Sequence, residues 1–180
     1  SVVRMDDPVR FANDPGYRQW LHFFSSNIAC IRRSAWERMP LPDVAFAEDQ
    51  AWALQAIQAG YGKAYAPQAV VYHSHDFGPW ETLQRNFDEA RSFQRYFGYR
   101  IQDSLPRALK SSVHLARRDW SWLRGAGLHG WRLIKNAGYM AAIELARVIG
   151  QYLGTRHDQL PGWLLRSVSR DEQLQRAGAA

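Results

Sequence analysis

Cysteine is all but missing from this chain: Cys30 is the one thiol in 180 residues. No disulfide can form within it, so it suits a reducing compartment or is indifferent to redox state. Lysine is scarce too. Of 23 basic residues only Lys63, Lys110 and Lys135 are lysines, and the remainder are arginines, which pair bidentately with phosphate and stack on aromatic rings. Long apolar runs are absent: in the most apolar segment the charge-free stretch is Asn136 to Ile143, far short of the roughly 20 residues that cross a bilayer. No transmembrane helix is expected. Acidic residues thin out along the chain. Residues 1–103 hold 11 Lys+Arg against 12 Asp+Glu, whereas residues 104–180 hold 12 against 5, so the whole net charge of +6 lies in the C-terminal part. Together with eight tryptophans, this points to an anionic surface as partner, either lipid headgroups or nucleic acid.

What is present suffices for a globular core, since 46% of residues are apolar and no repeat or low-complexity tract interrupts them. Arg4 to Tyr17 contains Asp6-Asp7-Pro8 and Asn13-Asp14-Pro15-Gly16 and reads as loop. Leu21 to Ile31 reads as a buried strand bent at Ser25-Ser26-Asn27. Ser34 to Glu37 opens a short helix with capping-box spacing, closed by Pro40 and Pro42. Glu48 to Ala59, ended by Gly60, is an amphipathic helix whose stripe is Trp52, Ala53, Ala56 and Ile57. Lys63 to Tyr72 reads as two short strands or an edge strand broken at Pro67. Pro79 then starts a long helix that Gly98 ends.

After Pro106 helices follow alone. Leu109, Val113, Ala116, Trp120 and Leu123 form one expected apolar stripe; Leu128 to Leu153 is a second helix after the hinge Gly125-Ala126-Gly127. Trp163 to Arg166 is a short amphipathic piece before a polar tail. The expected organisation is an α/β part over residues 1–103, followed by a basic, Trp-rich helical extension over 104–180.

Two clusters carry chemistry. Glu48-Asp49 opens a helix, where acids complement the helix dipole and cap free N–H groups; a carboxylate held there also suits a general base that takes a proton from an alcohol. His73 and His75 lie two apart at an expected strand end, so they would point to one face and share a metal, or one would ligate while the other orients a substrate, or each would simply satisfy a backbone group. No further Cys or His completes a zinc set nearby, though Asp76 leaves a hard-metal site open.

In order and spacing, Phe23-Phe24-Ser25-Ser26-Asn27, Arg32-Arg33-Ser34, Glu48-Asp49 and Val70 to His75 resemble the C-terminal half of a family 2 glycosyltransferase with a GT-A, Rossmann-like fold. Tyr72-His73-Ser74-His75 followed by Leu83-Gln84-Arg85-Asn86-Phe87-Asp88 is most similar to the rhamnosyltransferase branch. The resemblance implies an inverting transfer from a nucleotide sugar such as dTDP-rhamnose to a glycan or lipid-linked acceptor. Asp49 would be the general base, with Glu48 orienting it or the acceptor. Ser26 and Asn27 would approach the sugars, and Arg85 or Arg91 the phosphates. His73, with His75 as second candidate, would complete a Mg or Mn site whose other ligands belong to a nucleotide-binding half. That half, with its Asp-x-Asp motif, has no counterpart here, so the chain is expected to be an inactive acceptor-side piece of a cytoplasmic enzyme working at the inner face of the cell membrane. The Arg- and Trp-bearing helices (Arg117, Arg118, Arg124, Arg132, Lys135; Trp120, Trp122, Trp131) would rest on an anionic bilayer, or pack on protein. Two other classes compete. A nucleic-acid-binding module explains the charge but leaves Glu48-Asp49 and His73-x-His75 without a role, and a noncatalytic scaffold would carry them as vestiges.

Overall fold

The computed structural model describes residues 2–44 and 46–178 and divides them into two compact units that meet at 74/75. In the first, Asp7 and Asp14 turn the expected opening loop into two short helices. Asp7 Oδ1 accepts the Arg10 N–H at 2.8 Å to cap α1 (Pro8–Asn13); Asp14 Oδ1 accepts from Gly16 and Tyr17 to cap α2 (Pro15–His22). Each Asp-Pro pair is thus a helix start, an N-cap followed by a proline whose missing N–H costs nothing in the first turn. The unit continues with α3 (Arg33–Arg38) and α4 (Glu48–Gln58). The capping box read at Ser34 does not form, because the helix is capped two residues earlier, at Arg32. Gly60, at φ 84°, follows α4 as its stop.

Two clusters hold this unit. Tyr17, Leu21 and Ile57 pack with Val3, Met5 and Phe11. Ala35, Trp52, Ala53 and Ala56 pack with Phe24, Ile31, Met39 and Tyr61, and the buried Trp52 indole N–H donates to the Met39 carbonyl at 2.6 Å. The stripe expected on α4 is therefore its core face. The strands are shorter than expected: β1 (Val2–Val3) pairs antiparallel with β2 (Lys63–Ala64), Val2 opposite Ala64, and among the described residues these are the only strands. Leu21 to Ile31 is not a strand. α2 runs into it through His22, and Ser26–Ile28 is a 3-10 turn. Val70 to Tyr72 is also outside any strand, with Tyr72 fully exposed. Their β-branched and aromatic content suits a pleated, half-buried surface, but a strand needs a neighbour to take its N–H and C=O groups, and no described segment supplies one.

The second unit is helical: α5 (Pro79–Ser92), prolonged by a π turn over Phe93–Phe97 to Gly98, then α6 (Leu105–Gly125), α7 (Gly130–Gly154), α8 (Gly162–Val168) and α9 (Arg170–Gly178). The polar tail forms α9. The change of style expected near residue 103 falls inside this unit. α5 is its hub. Gly150 and Gly154 of α7 lie so close to α5 that a Cβ on Gly150 would sit 2.4 Å from the Leu83 carbonyl oxygen, and one on Gly154 2.2 Å from that of Phe87. Phe87 is wholly buried. The Asp88 carboxylate accepts the Ser169 hydroxyl at 2.6 Å and the Arg170 and Asp171 N–H groups at 2.9 and 3.2 Å, so α5 caps the start of α9. Gln84 donates to the Ser167 carbonyl.

α6 is rotated from its expected setting. The buried line is Ala108, Ser112, Asp119 and Leu123, leaving Leu109, Val113 and Trp120 exposed. Within the described residues no helix is long and apolar enough to cross a membrane.

The glycine contact makes a prediction of opposite signs within one helix. Gly→Ala ordinarily stabilises a helix interior by about 1 kcal/mol. Gly138→Ala, with open space around its Cβ position, is expected to gain up to that amount. Gly150→Ala is expected to lose about 2–3 kcal/mol by overpacking, both read from urea unfolding; a gain in both would mean that the α5–α7 approach is looser than described.

Candidate functional site

Ala47 is the one non-glycine residue at positive φ among the described residues (φ 61°, ψ 33°), and it is buried. A side chain in that region costs on the order of 1 kcal/mol, and here the bend sets the first turn of α4. Glu48 and Asp49 occupy that turn. Asp49 Oδ2 accepts the Ser26 N–H at 2.9 Å, and Oδ1 accepts the N–H of Gln50 at 2.7 Å. Three of the expected residues, Asp49, Ser26 and the adjoining Asn27, are thereby brought together over a separation of 23 positions, with Glu48 beside them. The carboxylate is oriented by backbone donors and by the end of α4, and the residue is half-buried. Chemically this is an anchored proton acceptor.

A buried imidazole stands behind this turn. His22 is fully buried, and its pKa is pushed down to about 4, chiefly by burial, with nearby Lys63 and Arg18 acting in the same direction and a hydrogen bond to Gln50 opposing them. Lys63 donates to the Trp20 and Phe23 carbonyls at 2.8 and 2.7 Å, closing the end of α2.

The expected histidine pair fares differently. The reading that set His73 and His75 on one face needed a strand, and residues 70–78 form none. His73 lies one residue before the end of the first unit and His75 begins the second. His75 stacks on Phe77 with ring centroids 4.8 Å apart, and the Arg85 guanidinium stands 5.4 Å from the same ring. No group of three or more His, Cys, Asp or Glu side chains able to hold a metal ion occurs among the described residues. The donor set among the described residues therefore does not make a divalent-cation site by itself.

In the second unit a cleft of about 570 Å³ opens between α5 and α7. Arg85 and His75 line it, together with Phe77, Asn86, Glu89, Tyr139, Arg147 and Gln151. Glu89 lies one turn after Arg85; burial raises its pKa, while Arg85 and Arg147 work against that rise. Arg91, the other expected phosphate ligand, is instead tied to α9 by a 2.9 Å ion pair with Glu172. Glu89 and Arg147 are the residues that sequence reasoning missed. The i,i+4 spacing of Arg85 and Glu89 was visible, but Arg147 reaches the cleft only through the packing of α7 on α5. A second hollow, about 700 Å³, lies beside β1, α1 and α2. It contains none of the expected residues, and four of its polar side chains pair with one another: Tyr17 donates to Asp6 and Arg10 pairs with Asp14.

With this geometry in hand, the chain's relatives are informative. It is similar to two curated proteins of the O-antigen pathway. It is 46% identical to the O-antigen chain rhamnosyltransferase RfbN of Salmonella typhimurium over 153 residues, 77% of this chain and 42% of the relative. It is 43% identical over the same extents to the O-antigen chain rhamnosyltransferase WbaN of Salmonella anatum. This chain thus spans less than half the length of the relatives it matches, and at this identity it is related to proteins named as rhamnosyltransferases. No protein-family model matches it, and no solved structure does.

His22 gives the site region a pH signature. Its folded pKa lies below the roughly 6.5 of a free imidazole, so between pH 6.5 and 4 the unfolded chain binds the extra proton and stability falls as the solution is acidified. Unfolding of the wild type should lose up to about 3 kcal/mol across that window from this group. His22→Gln should flatten that part of the profile; an unchanged slope would place the acid sensitivity elsewhere.

Proposed function

We propose that this chain is the acceptor-side part of an inverting, nucleotide-sugar-dependent glycosyltransferase of family 2, with a GT-A fold, that adds a rhamnosyl residue to a growing cell-surface polysaccharide on a lipid-linked acceptor in the cytoplasm. The observation that carries the proposal is the relation to two rhamnosyltransferases along 77% of the chain. The anchoring of Asp49 supports it, because a general base must be held in a fixed direction within hydrogen-bond reach of the proton it takes.

In the proposed reaction the acceptor hydroxyl oxygen attacks the anomeric carbon of the donor. Its proton passes to the Asp49 carboxylate, the carbon–oxygen bond to the diphosphate breaks, and that electron pair leaves with the diphosphate. Glu48 holds the acceptor, the Ser26 and Gln50 N–H groups fix the base, and Asn27 beside Ser26 approaches the sugars. Arg85 and Arg147 are the cations we assign to an anionic group of a substrate.

The test uses the complete gene product, assayed with nucleoside-diphosphate deoxyhexoses and a lipid-linked glycan. Asp49→Asn keeps an oxygen for the Ser26 N–H and removes the base, so transfer should fall by about 10²–10⁴ while donor affinity stays within about twofold. Glu48→Gln should act mainly on the acceptor KM. Unchanged turnover in D49N rejects the base assignment, and absence of transfer from every such donor rejects the reaction class.

A further inference from the structure

The exposed side of the helical hairpin formed by α6 and α7 has a composition that its fold does not use. On α6, Leu105, Leu109, Val113 and Trp120 lie within about 80° of one another around the axis, and they are 45%, 46%, 51% and 40% exposed. Lys110, Arg117 and Arg124 recur every seventh residue along the outer border of this stripe and are exposed. α7 follows after a four-residue connection and so runs antiparallel to α6; the Arg118–Glu144 pair bridges the two helices at 3.8 Å. Trp131, Ile134 and Leu145 form an exposed stripe on α7. In an antiparallel pair that stripe falls on the same side of the hairpin as that of α6, and α5 covers α7 from another side through Gly150 and Gly154.

Charge selects the occupant. Residues 105–154 contain eight Lys+Arg and two acids, Asp119 and Glu144, and both acids are buried. The ionised groups that the hairpin shows to solvent are thus all basic. A second copy laid on this face would bring like charges together, whereas a sheet of anionic headgroups would meet the basic border while the tryptophans and aliphatic side chains enter the interfacial zone. We propose that this face of the α6–α7 hairpin docks on an anionic phospholipid bilayer. The surface goes beyond the transfer reaction and does not depend on it, since vesicle binding is read without turnover.

The experiment measures partition of the protein onto phosphatidylcholine vesicles with and without roughly 30% phosphatidylglycerol. Binding should be about tenfold or more tighter to the anionic vesicles and weaken as salt rises. K110E/R117E/R124E and, separately, W120A/W131A should each lower it about tenfold, with helix content by circular dichroism unchanged because all five positions are exposed. Trp163→Ala, an exposed tryptophan of α8 outside this face, should bind as the wild type does. Bromolipid quenching of tryptophan emission should drop in W120A/W131A and not in W163A. Equal binding to neutral and anionic vesicles, variants that bind like the wild type, dimers in sedimentation that the W120A/W131A change dissolves, or tighter binding to single-stranded DNA than to anionic vesicles would each overturn the proposal.

Discussion

The second unit depends on how near α7 comes to α5. Gly150 and Gly154, four residues apart on one face, let the two helix backbones approach until there is no room for a Cβ, and the contact repeats down the helix because side chains three and four apart share a face. Everything else in that unit is placed by it. Phe87 is sealed at the contact, Asp88 and Gln84 project beyond it to hold the segment that leads into α9, and Arg147, one turn before Gly150, is brought to the cleft that Arg85 and Glu89 line on α5. Glycine lowers helix propensity by about 1 kcal/mol relative to alanine, so its use here is a concession of local preference to tertiary packing.

The helices were largely legible in the sequence and the strands were not, for one physical reason. A helix satisfies its own backbone, so the stripe of α4, the stop at Gly60 and the run from Pro79 to Gly98 are written in local spacing. A strand is specified by its neighbour. Leu21 to Ile31 and Val70 to Tyr72 have the composition of strands, and with no described neighbour to pair with they are helix end, turn and irregular backbone. The Asp-Pro pairs before α1 and α2 carried helix-start information that a turn reading masked. α6 was placed correctly and turned wrongly, because the residues that α7 buries include Ser112 and Asp119, which an apolar pattern cannot select.

The candidate site divides along the same line. Glu48 and Asp49 were readable as the acidic first turn of a helix, and the link from Asp49 to Ser26 draws together two segments whose order alone had suggested kinship with the rhamnosyltransferases. His73 and His75 would share a face only on a strand, and residues 70–78 form none. Arg91 looked as available as Arg85 in the sequence, and only the fold shows it bound to Glu172. The Glu89–Arg147 juxtaposition spans 58 positions in the sequence and became visible only once α7 lay on α5.

The most direct measurement is therefore the titration of the Glu89 carboxyl carbon by NMR, in the wild type and in Gly150→Ala under conditions where both remain folded. With α7 burying this carboxyl, its wild-type pKa is expected above the ordinary carboxylate range, with a shift back toward that range when the added methyl holds the helices apart. Titration of Glu89 together with the exposed glutamates, or a value that Gly150→Ala leaves unmoved, would contradict the claim that the α5–α7 contact builds the cleft.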